Sequence, residues 1–252
     1  MGREVLAAVC RQEGLAPVGV VDLYAAGDTI SLPDGSGTVP FGTDVAAVIK
    51  QTQPDVAIDF TNAEWTPRLA RAALDAGVRL VIGTTGLSEA FMGQLEDECA
   101  NRKVGAVVAP NFTIGAVLMQ HLARVAGRYF DYAEIIELHH EGKADAPSGT
   151  SIATAKGMAA GREKPFVRPP TEKETVPGTR GGEVDGVTIH SVRLPGLVAH
   201  QEVILGGTGE TLRIRHDSVG RESYMPGVML AVRHVMEHPG LVVGLERLFG
   251  LE

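Results

Sequence analysis

Hydrophobic and polar positions alternate in short, regular blocks over the first part of the chain. Residues 4–12 (EVLAAVCRQ) carry apolar side chains at helical spacing with few breakers and predict a short helix. Val18-Gly-Val-Val21 is a continuous apolar run ending at Asp22 and predicts a buried strand. Residues 27–42 are rich in Gly, Pro, Asp and Ser and predict a loop. The pattern then predicts a helix over 44–51, a strand over 56–60, a helix over 67–76 and a strand over 79–82. A helix over 89–101 and a strand over 105–109 follow. Strands alternating with helices predict an α/β domain, a parallel sheet covered on both faces. Ligands of such sheets bind at the carboxyl ends of the strands. Asp22, Gly83-Thr84-Thr85 and Ala109-Pro110-Asn111-Phe112 all fall at such ends, on one rim.

The second part reads differently. A helix over 115–128 leads into an apolar, β-branched run over 132–138, read as a strand, and an alanine-rich helix over 151–160. Residues 165–182 form a loop dense in Pro, Gly, Thr and charge. Strands are predicted over 187–194, 201–205 and 211–215, with Gly206-Gly-Thr-Gly209 supplying a hairpin turn. This is an α+β arrangement with an open, mixed, largely antiparallel sheet. The helix predicted over 224–237 closes the pattern, and no internal repeat is visible.

Composition narrows the function classes. The net charge of −8 argues against a nucleic-acid partner, since neutralising phosphates needs a basic face. Cys10 and Cys99 are two and far apart, which fits a reducing cytoplasm better than a disulfide scaffold. No apolar run approaches the roughly 20 residues of a membrane span, and no signal-peptide pattern opens the sequence. A soluble cytoplasmic protein is expected, with no membrane partner.

The richest chemistry lies in Glu137-Leu-His-His-Glu-Gly-Lys-Ala-Asp-Ala-Pro-Ser-Gly-Thr150. Pro147 and Ser148 are helix start signals, and the backbone N–H groups of Gly149 and Thr150 open the helix that follows. A helix N-terminus suits an anion, and Gly149 permits close approach. His139, His140 and Lys143 add up to three positive charges, so the stretch predicts a site for a small, multiply anionic substrate. A histidine at a strand end is in general more often a surface or core residue. Shared metal binding by His139 and His140 is disfavoured, because adjacent strand residues point to opposite faces. No cysteine is near and no His-Glu-x-x-His spacing occurs, so no metal is expected.

This motif resembles the signature of the dihydrodipicolinate reductase (4-hydroxy-tetrahydrodipicolinate reductase) family of the diaminopimelate–lysine pathway, and looks most like its actinobacterial type. The resemblance extends through Asp59-Phe-Thr61, Gly83-Thr-Thr-Gly86, Ala109-Pro-Asn-Phe112, Leu194-Pro-Gly-Leu-Val-Ala-His-Gln-Glu202 and Ile214-Arg-His-Asp217. It implies a Rossmann-type dinucleotide-binding domain over residues 1–112 and about 222–252. It also implies a substrate-binding and oligomerisation domain over about 113–221, and a homotetramer. The implied substrate is a cyclic imine dicarboxylate, reduced by NADH or NADPH with loss of its 4-hydroxyl as water. His139 and Lys143 are the implied proton donors, and His140, Ser148, Gly149, Thr150 and Thr85 the implied substrate ligands. Cofactor contacts fall to Met1, Asp22, Gly83, Thr84, Thr85, Ala109, Pro110, Asn111 and Phe112. Leu23 stands where NADPH-preferring members commonly carry a basic residue, which leans the reading towards NADH. Arg193, His200 and Arg215 are possible further charges at the substrate mouth, though strand charges are more often simply solvated.

The sequence departs from the family at its start. Met1-Gly2-Arg3-Glu4 matches only the tail of the glycine-rich turn, and the first strand is absent. That strand is normally central, and each buried backbone group it leaves unpaired would cost roughly 1–3 kcal/mol. The expectation is that the reading frame continues upstream into a strand and a Gly-x-x-Gly turn. The alternative is a truncated, catalytically weak or silent homologue.

Overall fold

The computed structural model describes residues 1–251. In chain order it contains α1 (Gly2–Arg11), β1 (Val20–Val21), β2 (Thr29–Ser31), β3 (Thr38–Gly42), α2 (Val45–Thr52), β4 (Val56–Asp59) and α3 (Thr66–Asp75). Next come β5 (Arg79–Ile82), α4 (Glu89–Arg102), β6 (Gly105–Val108), α5 (Ile114–Ala126), β7 (Tyr132–His139) and α6 (Gly149–Ala160). The chain ends through β8 (Gly182–Val184), β9 (Val187–Arg193), β10 (Ala199–Gly207), β11 (Glu210–Ser218), α7 (Met225–Glu237) and β12 (Gly240–Val243). It divides into two units. One comprises Met1–Ile114 and the residues from Arg221 onward, the other Gly115–Gly220.

In the first unit β12, β6, β5 and β4 form a parallel sheet in that order. Leu80, Ile82, Ala106 and Val108 join α2, α3 and α4 in one core. Val81 and Val107 alternate to the other side of the sheet and are also fully buried; α7 packs against β5 and β6. Burial on both faces is why these strands read as unbroken apolar runs. The helices begin where their caps allow. Asp44 accepts from the Ala47 N–H at 3.1 Å to start α2, and Ser88 accepts from the Phe91 N–H at 3.2 Å to start α4.

One predicted loop is corrected. Residues 27–42 contain the antiparallel pair β2–β3, and β3 also pairs in parallel with β1. The turn residues Asp34, Gly35 and Gly37 dominate this stretch. Asp34 accepts from the Ser36 N–H and hydroxyl at 3.0 and 2.7 Å, and the two glycines have φ of 76° and 146°. Two strands of three and five residues are too short to be seen beside them. The sheet β1-β3-β2 is separate from the parallel sheet, so β1 and β4 are both edges. A cavity of about 240 Å³ is lined from both edges by Val20, Val21, Val56, Ala57 and Ile58, and by Gly2 and Val5 of α1.

The second unit is built on a five-stranded sheet of order β11-β10-β7-β9-β8. The pair β7–β9 is parallel and the others antiparallel. The short edge strand β8 was not predicted; it begins at the last residue of the loop predicted over 165–182. Ala133, Ile135, Val187, Ile189, Val203 and Leu205 face Ala123, Ala155, Met158 and Phe166 in a single core. Period-2 alternation along β7 carries this inward row from Ala133 and Ile135 to Glu137 and His139. Glu137 has no exposed surface.

Glycines at two crossings of the first unit have no room for a side chain. A Cβ on Gly227 of α7 would lie 2.1 Å from the Phe112 carbonyl oxygen, and one on Gly105 2.5 Å from the carbonyls of Val235 and His238. Gly227→Ala and Gly105→Ala should each destabilise the fold by about 1–3 kcal/mol through overpacking. Gly93→Ala, at an exposed site of α4 with nothing within 4 Å, should instead stabilise by about 0.5–1 kcal/mol. Denaturant midpoints compare the three; equal effects would contradict the packing argument.

Candidate active site

In the second unit, β7 ends at His139 and the chain turns, with the Lys143 N–H donating to the His140 carbonyl at 3.2 Å. The turn returns the chain to Ser148, the N-cap of α6, whose Oγ accepts from the Ser151 N–H at 3.2 Å. Gly149 and Thr150 are the first two residues of α6, ahead of the first intrahelical bond, from the Ile152 N–H to the Ser148 carbonyl. Their N–H groups are therefore among those a helix leaves for an outside acceptor. A Cβ added to Gly149 would meet nothing within 4 Å, so the space before it is open.

Glu137 lies beneath this arc. Its Oε2 is 2.5 Å from His139 Nδ1, and the Ser148 N–H donates to its Oε1 at 3.3 Å. Arg193 of β9 donates to both oxygens, from Nη1 to Oε2 at 2.9 Å and from Nη2 to Oε1 at 2.8 Å. Burial alone would raise the Glu137 pKa; hydrogen bonds from Arg193, Ser191 and His139 outweigh it and hold the carboxyl below its usual range. For His139, burial pushes the ring pKa down, Glu137 pulls it up, and Lys143 and Arg193 push it down again; the net shift is downward. Lys143 Nζ donates to Asp145 Oδ1 at 2.6 Å, and this bond keeps the Asp145 carboxyl below its usual range. His140 is exposed in the turn.

The structure thus brings His139, Lys143, Ser148, Gly149 and Thr150 onto one arc. It corrects the weight given to other residues. Arg193 is neither solvated nor free, because Glu137 and the Asp145 carbonyl hold its guanidinium. His200 pairs across the ladder with Asp217 and lies beside Leu138, on the face of the sheet opposite His139. It bonds Asp217 at 2.8 Å, and Arg215 bonds Asp217 and Glu202. Glu137 was missed as a functional group. Its signal was its place in the inward row of β7, where a charge needs a partner.

In the first unit the remaining residues lie at strand ends. Asp22 follows β1, is exposed, and accepts from the Tyr24 N–H at 2.9 Å. Leu23 beside it is 53% exposed. Gly83 follows β5, and a Cβ there would overlap the Phe60 ring at 2.1 Å. Phe60 in turn packs on Phe112 with centroids 5.6 Å apart. Thr84 is buried with a hydroxyl that has no hydrogen-bond partner, while Thr85 and Pro110 are exposed. The Ala109 N–H donates to the Ile82 carbonyl at 3.0 Å, and Asn111 Oδ1 accepts from the Thr113 N–H at 2.8 Å. Met1 is the N-cap of α1 without a side-chain cap bond. The orphan Thr84 hydroxyl, the exposed Asp22 carboxylate and the N-terminus of α1 are polar groups of the first unit that could hold a pyridine dinucleotide.

Family models described as the N-terminus and the C-terminus of dihydrodipicolinate reductase match residues 1–112 and 115–249. A 4-hydroxy-tetrahydrodipicolinate reductase of Dehalococcoides mccartyi is 47% identical over 251 residues, covering 100% of this chain and 95% of the relative. The enzyme of that name from Desulfitobacterium hafniense is 48% identical, covering 98% and 93%. A dipicolinate-bound dihydrodipicolinate reductase from Paenisporosarcina sp. TG-14 superposes with a TM-score of 0.87 at 42% identity, covering 98% of this chain and 94% of the other. A match that runs through both units argues against the reading of a degenerate, silent homologue. The chain therefore belongs to the dihydrodipicolinate reductase family of pyridine-nucleotide-dependent oxidoreductases.

Proposed function

We propose that the protein reduces 4-hydroxy-tetrahydrodipicolinate to tetrahydrodipicolinate, the diaminopimelate-pathway step for which its relatives are named. The observation that carries this reading is the arc of His139, Lys143 and the open start of α6, which gathers proton donors and anion-binding N–H groups. The 4-hydroxyl and a proton of the neighbouring ring carbon leave together as water, and the reduced nicotinamide, when bound, would supply a hydride to C4 of the conjugated imine that remains. Ser148, Gly149, Thr150 and His140 hold the substrate carboxylates, with Thr85 a further contact. His139 and Lys143 deliver the proton that the neighbouring ring carbon requires. Substrate carboxylates favour the protonated form of either donor.

The first unit takes the dinucleotide, through Met1, Asp22, Gly83, Thr84, Thr85 and Ala109 to Phe112. Leu23 places no charge beside Asp22, so NADH is the preferred donor; tighter binding of NADPH in a titration would overturn that preference. The second unit takes substrate and also assembles the chain as a homotetramer. On the sheet face opposite the core, Ile136, Leu138, Val192 and Ile204 are half-buried and alternate with Glu134, His190, His200 and Glu202, a mixed surface that an interface between copies could cover. A monomer in light scattering would count against it. No helix among the described residues is long and apolar enough to cross a membrane, and Cys10 and Cys99 are unpaired. Both facts suit a cytoplasmic enzyme.

Lys143→Ala should lower kcat by roughly 10²–10⁴-fold, the usual worth of general acid catalysis, and leave NADH affinity unchanged. A variant that lost NADH affinity but kept its turnover at saturation would place Lys143 elsewhere in the reaction.

Pyridine-2,6-dicarboxylate should compete with substrate, since its two carboxylates flank a ring nitrogen as in the substrate. A monocarboxylate analogue loses one charged hydrogen-bonding group, worth roughly 1.5–3 kcal/mol, or about 10–150-fold in affinity. Gly149→Val should erase that difference. The open space at Gly149 accepts the larger side chain, which then blocks backbone approach. Equal inhibition constants for the two analogues on the unmodified protein would reduce the turn to a helix cap.

A further inference from the structure

We propose that Glu137 is a positioning residue that fixes the tautomer of His139. It keeps a permanent proton on Nδ1, makes Nε2 the atom that exchanges a proton with substrate, and ties the start of α6 to the same carboxylate. The proposal rests on the reading of His139 as a proton donor.

Glu137 is fully buried and both its oxygens are engaged, Oε2 by His139 Nδ1 and Arg193, Oε1 by Arg193 and the Ser148 N–H. With two guanidinium bonds the carboxyl is ionised and only accepts. The hydrogen in the 2.5 Å contact therefore belongs to the imidazole, so Nδ1 is the donor. In the charged ring Nε2 also carries a proton. When that proton leaves for a substrate carbon, the electron pair of the N–H bond stays on Nε2. The ring is then neutral, with Nδ1–H still on Glu137, and needs no flip before the next proton arrives.

A counter-ion for Arg193 alone would need only the two guanidinium bonds. The contacts from Oε2 to the ring and from Oε1 to the N-cap of α6 go beyond that role. They set the proton donor and the proposed carboxylate cradle on one rigid group. The charged groups around the ring are Glu137 on its own strand, Arg193 on β9 and Lys143 in the following turn. Only Glu137 among them favours the charged ring.

Two measurements test this. Nitrogen-15 spectra of the eight histidines, with His139 assigned by its loss in His139→Gln, should show the neutral ring as the Nδ1–H tautomer in the unmodified protein. An Nε2–H tautomer overturns the proposal, and this readout stands even if Glu137 variants fail to fold. In kinetics, Glu137→Gln should lower kcat, by at most the roughly 10²–10⁴-fold of a lost general acid, while a rise in substrate KM reports the loosened start of α6. It should also move the alkaline limb of the pH–rate profile to lower pH, because the charge that favours the protonated ring is gone. Glu137→Asp keeps that charge and should return the limb towards its original place. Added to His139→Gln, Glu137→Gln should reduce kcat no further. An unmoved limb, or a further loss in the double variant, overturns the positioning role. A His139→Gln protein with undiminished kcat sinks instead the reading of His139 as the acid, whatever its tautomer.

Discussion

The second unit is organised by one buried charge. Taking a carboxylate out of water costs several kcal/mol unless it is paired and hydrogen-bonded. Glu137 sits in the inward row of β7, directly after Ala133 and Ile135, where an apolar residue would extend the core at no such cost. Its charge is tolerable because β9 lies parallel to β7, with His139 opposite Arg193 and Glu137 opposite Ser191. That register lets the guanidinium reach back to both carboxylate oxygens. An antiparallel or slipped β9 would turn Arg193 away. Sheet order, strand register and the identity of residue 193 therefore answer to a single requirement, and the Ser148 N–H and the His139 ring take up the acceptor capacity that remains.

Magnitudes separate the two cations near this carboxylate. Breaking a buried ion pair leaves an uncompensated charge and costs about 3–5 kcal/mol. A dianionic ligand therefore does not draw Arg193 away from Glu137. Lys143 is different. Its side chain is 22% exposed and that of its partner Asp145 56% exposed, and pairs near solvent are worth about 0–1 kcal/mol. A substrate carboxylate can take Lys143 from Asp145 at small cost. The arginine is a structural charge and the lysine an available one, although both act on the same His139 ring.

The contrast explains what was legible beforehand. The strand over 79–82 was read to the residue, because burial on both faces leaves a run of apolar side chains with sharp ends. The Ser148 cap was legible from residue type and place alone. The pair β2–β3 was not, since eight strand residues stand among turn-formers and pair only with one another and the two residues of β1. Arg193 was weighed as a solvated strand charge because its partner lies 56 residues away, across a parallel pairing that no local pattern announces. Glu137 stood in the motif without a role for the same reason. Charges are legible one at a time; ion pairs across a sheet are not.

The first unit carries the opposite kind of signal, a polar atom without a partner. The Thr84 hydroxyl is buried at the carboxyl end of β5 and bonds nothing. Leaving such a group unsatisfied costs about 1–3 kcal/mol, comparable to a large single mutation. Gly83 beside it admits the Phe60 ring, which packs on Phe112. An unsatisfied buried hydroxyl suits a ligand that brings it a hydrogen-bonding group. On the proposed reading the nicotinamide ring and its carboxamide meet that description. On that reading a hydrogen bond between the carboxamide and the Thr84 hydroxyl contributes to cofactor binding.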